Sequence, residues 1–425
     1  MDWFDKKRLD AYLKKLNPVY HNEGRSIIMP SGSGKSYWME NVQPVKNEFI
    51  DSDPLCWAVG AMPALEGPDY SGLNWDDNFD EICQRVDKVV VMCKAMGLWI
   101  MGATWWLPVN IDAIVILPKE KHKEYLAGKK HAFYPGYYEE EVVDIIKLLR
   151  KTASDREPEI PIFSSIDKCV AWVIRTQRIH TMSITKAAIG LMYHKHMRRN
   201  IELVNGITVG SALNMMSGYA DNQWSYEDYR KQVEMDTNLL YYSRHRLAQS
   251  TKTRTWRYNN LIYQLLASAM RDVADKFGAF MEDPAGKLKK DGDHYYKHGK
   301  AWKWEHTKSG EPLGPHGLWM TKDFAKLFGE TAKEHVLDMS KSERTDIGQK
   351  EWGGIGAGKL KRYWNGWFFT DKNAYAIGFV AQVVALTPDG VKTQIYEENW
   401  DDDLTKHPED LKWQFINSVE VRLKV

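Results

Sequence analysis

Arg25-Ser26-Ile27-Ile28-Met29, followed by Pro30-Ser31-Gly32-Ser33-Gly34-Lys35-Ser36, decides the fold of the first part of the chain. A short apolar run passes into a glycine-rich turn and then into a helix, which is how a parallel α/β sheet leaves a strand. Glycines let successive backbone N–H groups turn toward phosphate oxygens, and the helix N-terminus adds partial positive charge. Lys35 can then reach terminal phosphates and Ser36 can ligate magnesium. Met29 stands where the full pattern has glycine, leaving Pro30 and Gly32 to shape the bend.

Outward from this turn, apolar runs at residues 25–29, 47–51, 98–104, 112–117 and 159–163 read as strands. Helical patterns lie between them at residues 36–41, 80–96, 119–128 and 139–153, the last with a stripe of Val142, Ile145, Ile146 and Leu149. This is an α/β alternation with a parallel sheet. Residues 20–175 resemble the P-loop small-molecule and nucleoside-phosphate kinases. The resemblance implies ATP and Mg2+ as cofactors, with Gly32, Gly34, Lys35 and Ser36 on the phosphates and Asp51 and Asp53 serving magnesium and substrate. Lys119, Lys121, His122, Lys123, Lys129 and Lys130 fall where those kinases carry a lid, and no arginine occurs between Arg85 and Arg150.

Near residue 176 the alternation stops, and longer helices and glycine-rich turns take over. Two domains are expected, residues 1–175 and 176–425. Ser183-Ile184-Thr185-Lys186 opens a helical run, and the three-residue spacing puts hydroxyl and amine on one helix face. Ser165-Ile166-Asp167-Lys168 repeats that spacing. After Ser183 come Leu213-Asn214-Met215-Met216-Ser217-Gly218-Tyr219, Trp256-Arg257-Tyr258-Asn259-Asn260, Gly317-Leu318-Trp319-Met320-Thr321, Trp364-Asn365-Gly366-Trp367 and Ala376-Ile377-Gly378-Phe379. In that order they resemble the segments of serine β-lactamases and related esterases, implying a β-lactamase-like α+β domain.

From the resemblance, Ser183 is the acylated nucleophile, Lys186 its activator, Tyr258 a general base or acid and Asn260 a substrate-orienting amide. Gly378 and Phe379 edge an oxyanion hole shared with the Ser183 N–H. A tyrosine base needs a lowered pKa, and a Lys186 cation is expected to supply it. Ala376 holds the place where the family's third motif carries Lys or His, which disfavours a carboxylate-bearing β-lactam as substrate. The family's opening helix and two strands have no counterpart before Ser183.

Residues 283–317, without clear period, read as a long loop. Within it, residues 294–304 interleave cations with aromatic rings, which suits single-stranded nucleic acid or a carbohydrate as well as packing onto the loop's own domain. Residues 381–386 and 391–396, around Pro388-Asp389-Gly390, read as a hairpin. Histidines 194 and 196 do not share a helix face and make no metal site.

A chain of 425 residues holds two or three domains at about 150 residues each. Lysine and arginine number 58 against 57 acidic residues, so no global field holds nucleic acid or an anionic membrane. Four cysteines at no metal-ligand spacing suit a reducing compartment, and no apolar run is long enough to span a bilayer, so a cytoplasmic location is expected. The 18 tryptophans point to aromatic-walled pockets for planar or apolar groups of a small-molecule substrate, although core packing uses the same rings.

The expected function is a serine hydrolase acting on an ester or amide, fused to an ATP-binding kinase-like domain. One alternative is a small-molecule or nucleoside kinase whose C-terminal half only binds; another is a catalytically silent interaction protein.

Overall fold

The computed structural model describes residues 4, 6–21, 23–61, 75–102, 111–127, 138–139, 142–143, 160–217, 226–248, 256–281, 288–291, 294–298, 301–337, 343–347, 360–378, 382–395, 415–416 and 418–420. They cluster into two compact units, Met1–Arg175 and Thr176–Val425. The whole is a mixed α/β molecule with one parallel sheet and several antiparallel ones.

In the first unit the strands are β1 (Arg25–Ile28), β2 (Phe49–Asp51), β3 (Trp99–Gly102), β4 (Ala113–Val115) and β5 (Ile162–Phe163). They lie in the order β2-β3-β1-β4-β5, with all neighbours parallel. Successive side chains on a strand point to opposite faces, so each face needs its own cover. Ile28, Ile50, Ile100 and Ile114 pack with helices α1 (Lys6–Leu16), α3 (Ser52–Ala58) and α4 (Trp75–Ala95). On the other face Ile27, Phe49, Trp99, Met101 and Val115 pack with Trp38 of α2 (Lys35–Asn41) and with α6 (Ile166–Thr176), whose Trp38 Nε1 to Asp167 bond is 2.9 Å. Helix α5 (Lys119–Ala127) follows β4. Of the expected helix at residues 139–153, residues 139, 142 and 143 are described and are helical. Lys129 and Lys130 lie outside the described residues.

The second unit is built around α7 (Ile184–His196). Ten successive residues, Ile184 to Tyr193, are buried, as befits a helix surrounded on every side. Around it lie α8 (Val209–Leu213), α9 (Tyr226–Glu234), α10 (Leu239–Ala248), α11 (Asn260–Ala269), α12 (Val273–Phe280) and α13 (Lys322–Val336). One antiparallel sheet runs β6-β12-β11-β10-β9, from β6 (Ile179–His180), β9 (Leu288–Asp291), β10 (His294–His298), β11 (Trp302–His306) and β12 (Leu318–Met320). A second runs in chain order from β13 (Thr345–Asp346) through β14 (Arg362–Trp364), β15 (Trp367–Phe369), β16 (Ala374–Ile377) and β17 (Val383–Thr387) to β18 (Gly390–Gln394). Strands β7 (Glu202–Val204) and β8 (Ile207–Thr208) form a small ribbon.

Two expectations change here. Residues 283–317 are not a structureless loop, because β9, β10 and β11 lie within them. Trp302 and Trp304 are fully buried, with ring centroids 5.3 and 5.7 Å from Phe277, so these two rings form core and present no stacking platform to a nucleic acid. Among the described residues, the six-stranded sheet comes from strands after α13, and none from ahead of Ser183 enters it. Trp256, Trp364 and Trp367 are likewise buried in the core, which is the packing use of these rings.

Helix α7 is fixed by a hairpin turn. Asn365 (φ 48°) and Gly366 (φ 90°) both take the left-handed conformation that a two-residue turn between β14 and β15 requires. A Cβ on Gly366 would lie 2.4 Å from the Ala187 nitrogen, and one on Gly190 would lie 2.1 Å from the Asn365 carbonyl oxygen. Backbone therefore meets backbone, which only glycine permits.

Candidate active site

The chain enters the site along β6. Thr181 anchors the approach, since both its N–H (3.0 Å) and its hydroxyl (2.7 Å) donate to the Leu318 carbonyl. Met182 then takes φ 50°, a strained value for a residue with a side chain, and turns the chain so that Ser183 heads α7. Ser183 occupies the N-cap position without capping the helix through its side chain. Its hydroxyl instead meets two other groups, with Lys186 Nζ and Tyr258 Oη each 2.7 Å from Ser183 Oγ. Lys186 Nζ also lies 3.4 Å from the Pro315 carbonyl oxygen and 4.8 Å from the centre of the Tyr258 ring.

Tyr258 is carried by an extended segment that ends at α11. The N–H of Arg257 donates to the Met215 carbonyl (3.1 Å), and Asn259 caps α11 by accepting from the N–H groups of Leu261 and Ile262. Met215 itself takes φ 56°. The cap is thus Asn259, which frees its neighbour: Asn260 Oδ1 is buried and has no hydrogen-bond partner among the described residues. An unpaired buried acceptor costs about 1–3 kcal/mol, so a ligand N–H there is favoured.

Electrostatics run against one expectation. Lys186 is 1% exposed, and burial lowers its pKa well below that of a free lysine, so a neutral amine is favoured. Burial also raises the Tyr258 phenol, against the smaller pull of its bond to Ser183. The Tyr258 phenol is thus raised rather than lowered beside Lys186.

Gly378 lies beside the turn that leads into Ser183, where an added Cβ would come within 2.9 Å of the Thr181 carbonyl oxygen. Its own N–H donates to Gln382 (2.7 Å), so it is not available to an oxyanion. Phe379 lies outside the described residues. Ala376 is buried and paired to Val384, adding no charge. The second Ser-x-x-Lys is a helix start: Ser165 Oγ accepts the Lys168 N–H at 3.2 Å. Sequence reading missed His316, which is buried in the loop before β12. Burial, then Lys186 and His180, lowers its pKa well below the usual histidine range. Pro315-His316 directly precedes the Gly317-Leu318 segment, and that adjacency was the available signal.

In the first unit, Gly32 and Gly34 both have φ 82°. Lys35 bonds to Asp51 and, at 2.7 Å, to Asp53. Burial opposes the Lys35 charge, but Asp53 and Asp51 outweigh it and raise the lysine pKa; Asp51 is raised in turn, chiefly by burial. Ser33 Oγ is buried without a partner among the described residues. On α5, His122 is buried with its Nε2 2.9 Å from the Ser31 carbonyl oxygen; Lys119 pairs with Glu139 and Lys123 with Glu120. Among the described residues no cluster of three or more metal-ligating side chains occurs, and no helix is long and apolar enough to cross a membrane. The four cysteines are free and buried.

No protein-family model and no curated protein matches the chain. Among solved structures it is similar to one described as a 6-aminohexanoate-dimer hydrolase from Bacillus anthracis, with TM-score 0.41 and 12% identity over 59% of this chain and 73% of that one. A likeness that remote does not bear on activity.

Proposed function

We propose that residues 176–425 are a serine hydrolase that cleaves an ester or amide through an acyl-enzyme at Ser183. The observation that carries this reading is the meeting of Lys186 Nζ and Tyr258 Oη at 2.7 Å from one hydroxyl oxygen. As the Lys186 amine takes the Ser183 proton, Oγ attacks the substrate carbonyl carbon and the carbonyl π pair moves to oxygen. The carbonyl re-forms, the bond to the leaving group breaks, and that group takes a proton through Tyr258, which is resupplied by the Lys186 ammonium. Water then attacks the acyl carbon and gives a proton to the Lys186 amine; the carbonyl re-forms, the bond to Oγ breaks, and Oγ takes that proton from the ammonium, releasing the carboxylic acid. Asn260 Oδ1 orients a substrate N–H. A fluorophosphonate probe, which loses fluoride to a serine nucleophile, is expected to modify Ser183 in the wild type and in Ser165→Ala, with the adduct located by peptide mass spectrometry. Unmodified Ser183 in the wild type, or equal total labelling of Ser183→Ala, contradicts the reading.

A second reading concerns residues 29–36, favoured by the sheet order β2-β3-β1-β4-β5. The glycine turn leaves central β1 where the neighbours on either side connect in opposite directions, which is where open parallel sheets bind ligands. The two left-handed glycines and the orphan Ser33 hydroxyl fit a phosphate. Gly32, Gly34, Lys35 and Ser36 would hold the phosphates of ATP, and Asp51 and Asp53 the accompanying Mg2+. The nucleotide would supply a phosphoryl group for a small-molecule acceptor. Calorimetry with magnesium ATP tests this: binding is expected in the wild type and absent in Lys35→Ala, and no binding by the wild type contradicts it.

A further inference from the structure

The loop of residues 312–317 joins β11 to β12 and carries the Pro315 carbonyl that reaches Lys186. Trp304 Nε1 donates to its Leu313 carbonyl (2.9 Å), His180 pairs with its His316 carbonyl, and Glu305 brackets it through backbone bonds to Leu313 and Gly317, while at Pro312 and Gly314 one side chain holds it. Gln264, fully buried on α11, accepts the Gly314 N–H at 2.9 Å and donates to the Pro312 carbonyl at 3.0 Å and to Ser268 Oγ at 2.9 Å. The grip is close, since a Cβ on Gly314 would lie 2.2 Å from the Tyr263 carbonyl oxygen. Helix α11 therefore bears on the site twice: Tyr258 enters at its N-terminus, and one turn later Gln264 holds the loop that faces Lys186.

We propose that Gln264 is a positioning residue of the site, clamping residues 312–317 so that the Pro315 carbonyl orients the Lys186 amine toward Ser183. The inference rests on the hydrolase reading. A neutral amine has two N–H groups and one lone pair. With an N–H turned to Pro315, the lone pair is left for the Ser183 proton. The titratable groups around Lys186 are Tyr258 from the segment before α11, His316 from the clamped loop and, beyond His316, His180 from β6. Burial is what lowers the Lys186 pKa. Releasing the loop admits water, favours the ammonium and returns the pKa toward the ordinary value.

The test is an NMR titration of full-length protein labelled with carbon-13 at lysine Cε, with Lys186 assigned by its loss in Lys186→Met. In Gln264→Met, Lys186 is expected to titrate about one unit or more above wild type, and fluorophosphonate labelling near neutral pH to slow about tenfold. Leu247→Ala, a core truncation on another helix, is expected to lower the melting temperature while leaving the titration unmoved. Should Gln264→Met not fold, Gln264→Glu, which keeps the acceptor for Gly314 and loses the amide donor, is expected to shift Lys186 in the same direction. An unmoved Lys186 in the folded Gln264 variant overturns the clamp. A wild type that resists the probe while Lys186 still shifts overturns the hydrolase reading and leaves the clamp standing.

Discussion

At the scale of residues, the site turns on burying a lysine, and that burial has a stability signature. The folded-state pKa of Lys186 lies below that of a lysine in the unfolded chain, so between those two values the unfolded chain binds more protons. Stability therefore rises with pH across that window, and the lysine opposes folding most strongly below it. Lys186→Met is expected to raise the melting temperature near neutral pH, to flatten its rise toward pH 10, and to slow Ser183 acylation by about 10²–10⁴-fold. A melting temperature that falls, or acylation at the wild-type rate, contradicts the assignment. Ser183 and Lys186 were legible in the sequence because three residues is one helical turn. His316 and Gln264 were not, because they reach the site from loops and helices that only the fold brings near.

At the scale of elements, α7 holds its place because a hairpin turn presses backbone against it. Gly190→Ala puts a methyl group into the Asn365 carbonyl and is expected to cost about 1–3 kcal/mol, read as a lower denaturation midpoint, and to slow Ser183 labelling as the helix shifts. Wild-type stability in that variant contradicts the close approach. The hairpin's Asn365-Gly366 dipeptide is a strong turn signal between aromatic runs. Strand β11 was harder to read: Trp302-Lys303-Trp304-Glu305 alternates with period two, but its polar face is also buried, and its charges and neighbouring glycines suggest a loop. Lys303 Nζ sits 4.0 Å from the centre of the Trp319 ring, which shows how a cation is accommodated on that face.

At the scale of the whole molecule, the buried cores are separate: one apolar cluster lies within residues 179–419, and two lie within residues 9–173. Lys35→Ala is therefore expected to abolish magnesium ATP binding while leaving the Ser183 labelling rate within about twofold of wild type, since sites that draw on separate apolar clusters and share no partner are expected to act independently. A large loss of labelling contradicts that independence. The parallel sheet was legible because buried parallel strands are continuous apolar runs, whereas the origin of the six-stranded sheet was not, because strand partners are set by topology.

The acyl-enzyme itself is the most direct test. Incubation with p-nitrophenyl acetate, followed by rapid acid quench and peptide mass spectrometry, is expected to show an acetyl group on Ser183, together with a burst of p-nitrophenolate equal to the enzyme present. Ser183→Ala is expected to show neither. An acetyl group carried by another residue with Ser183 unmodified, or a burst that persists in Ser183→Ala, would contradict the assignment of Ser183 as nucleophile.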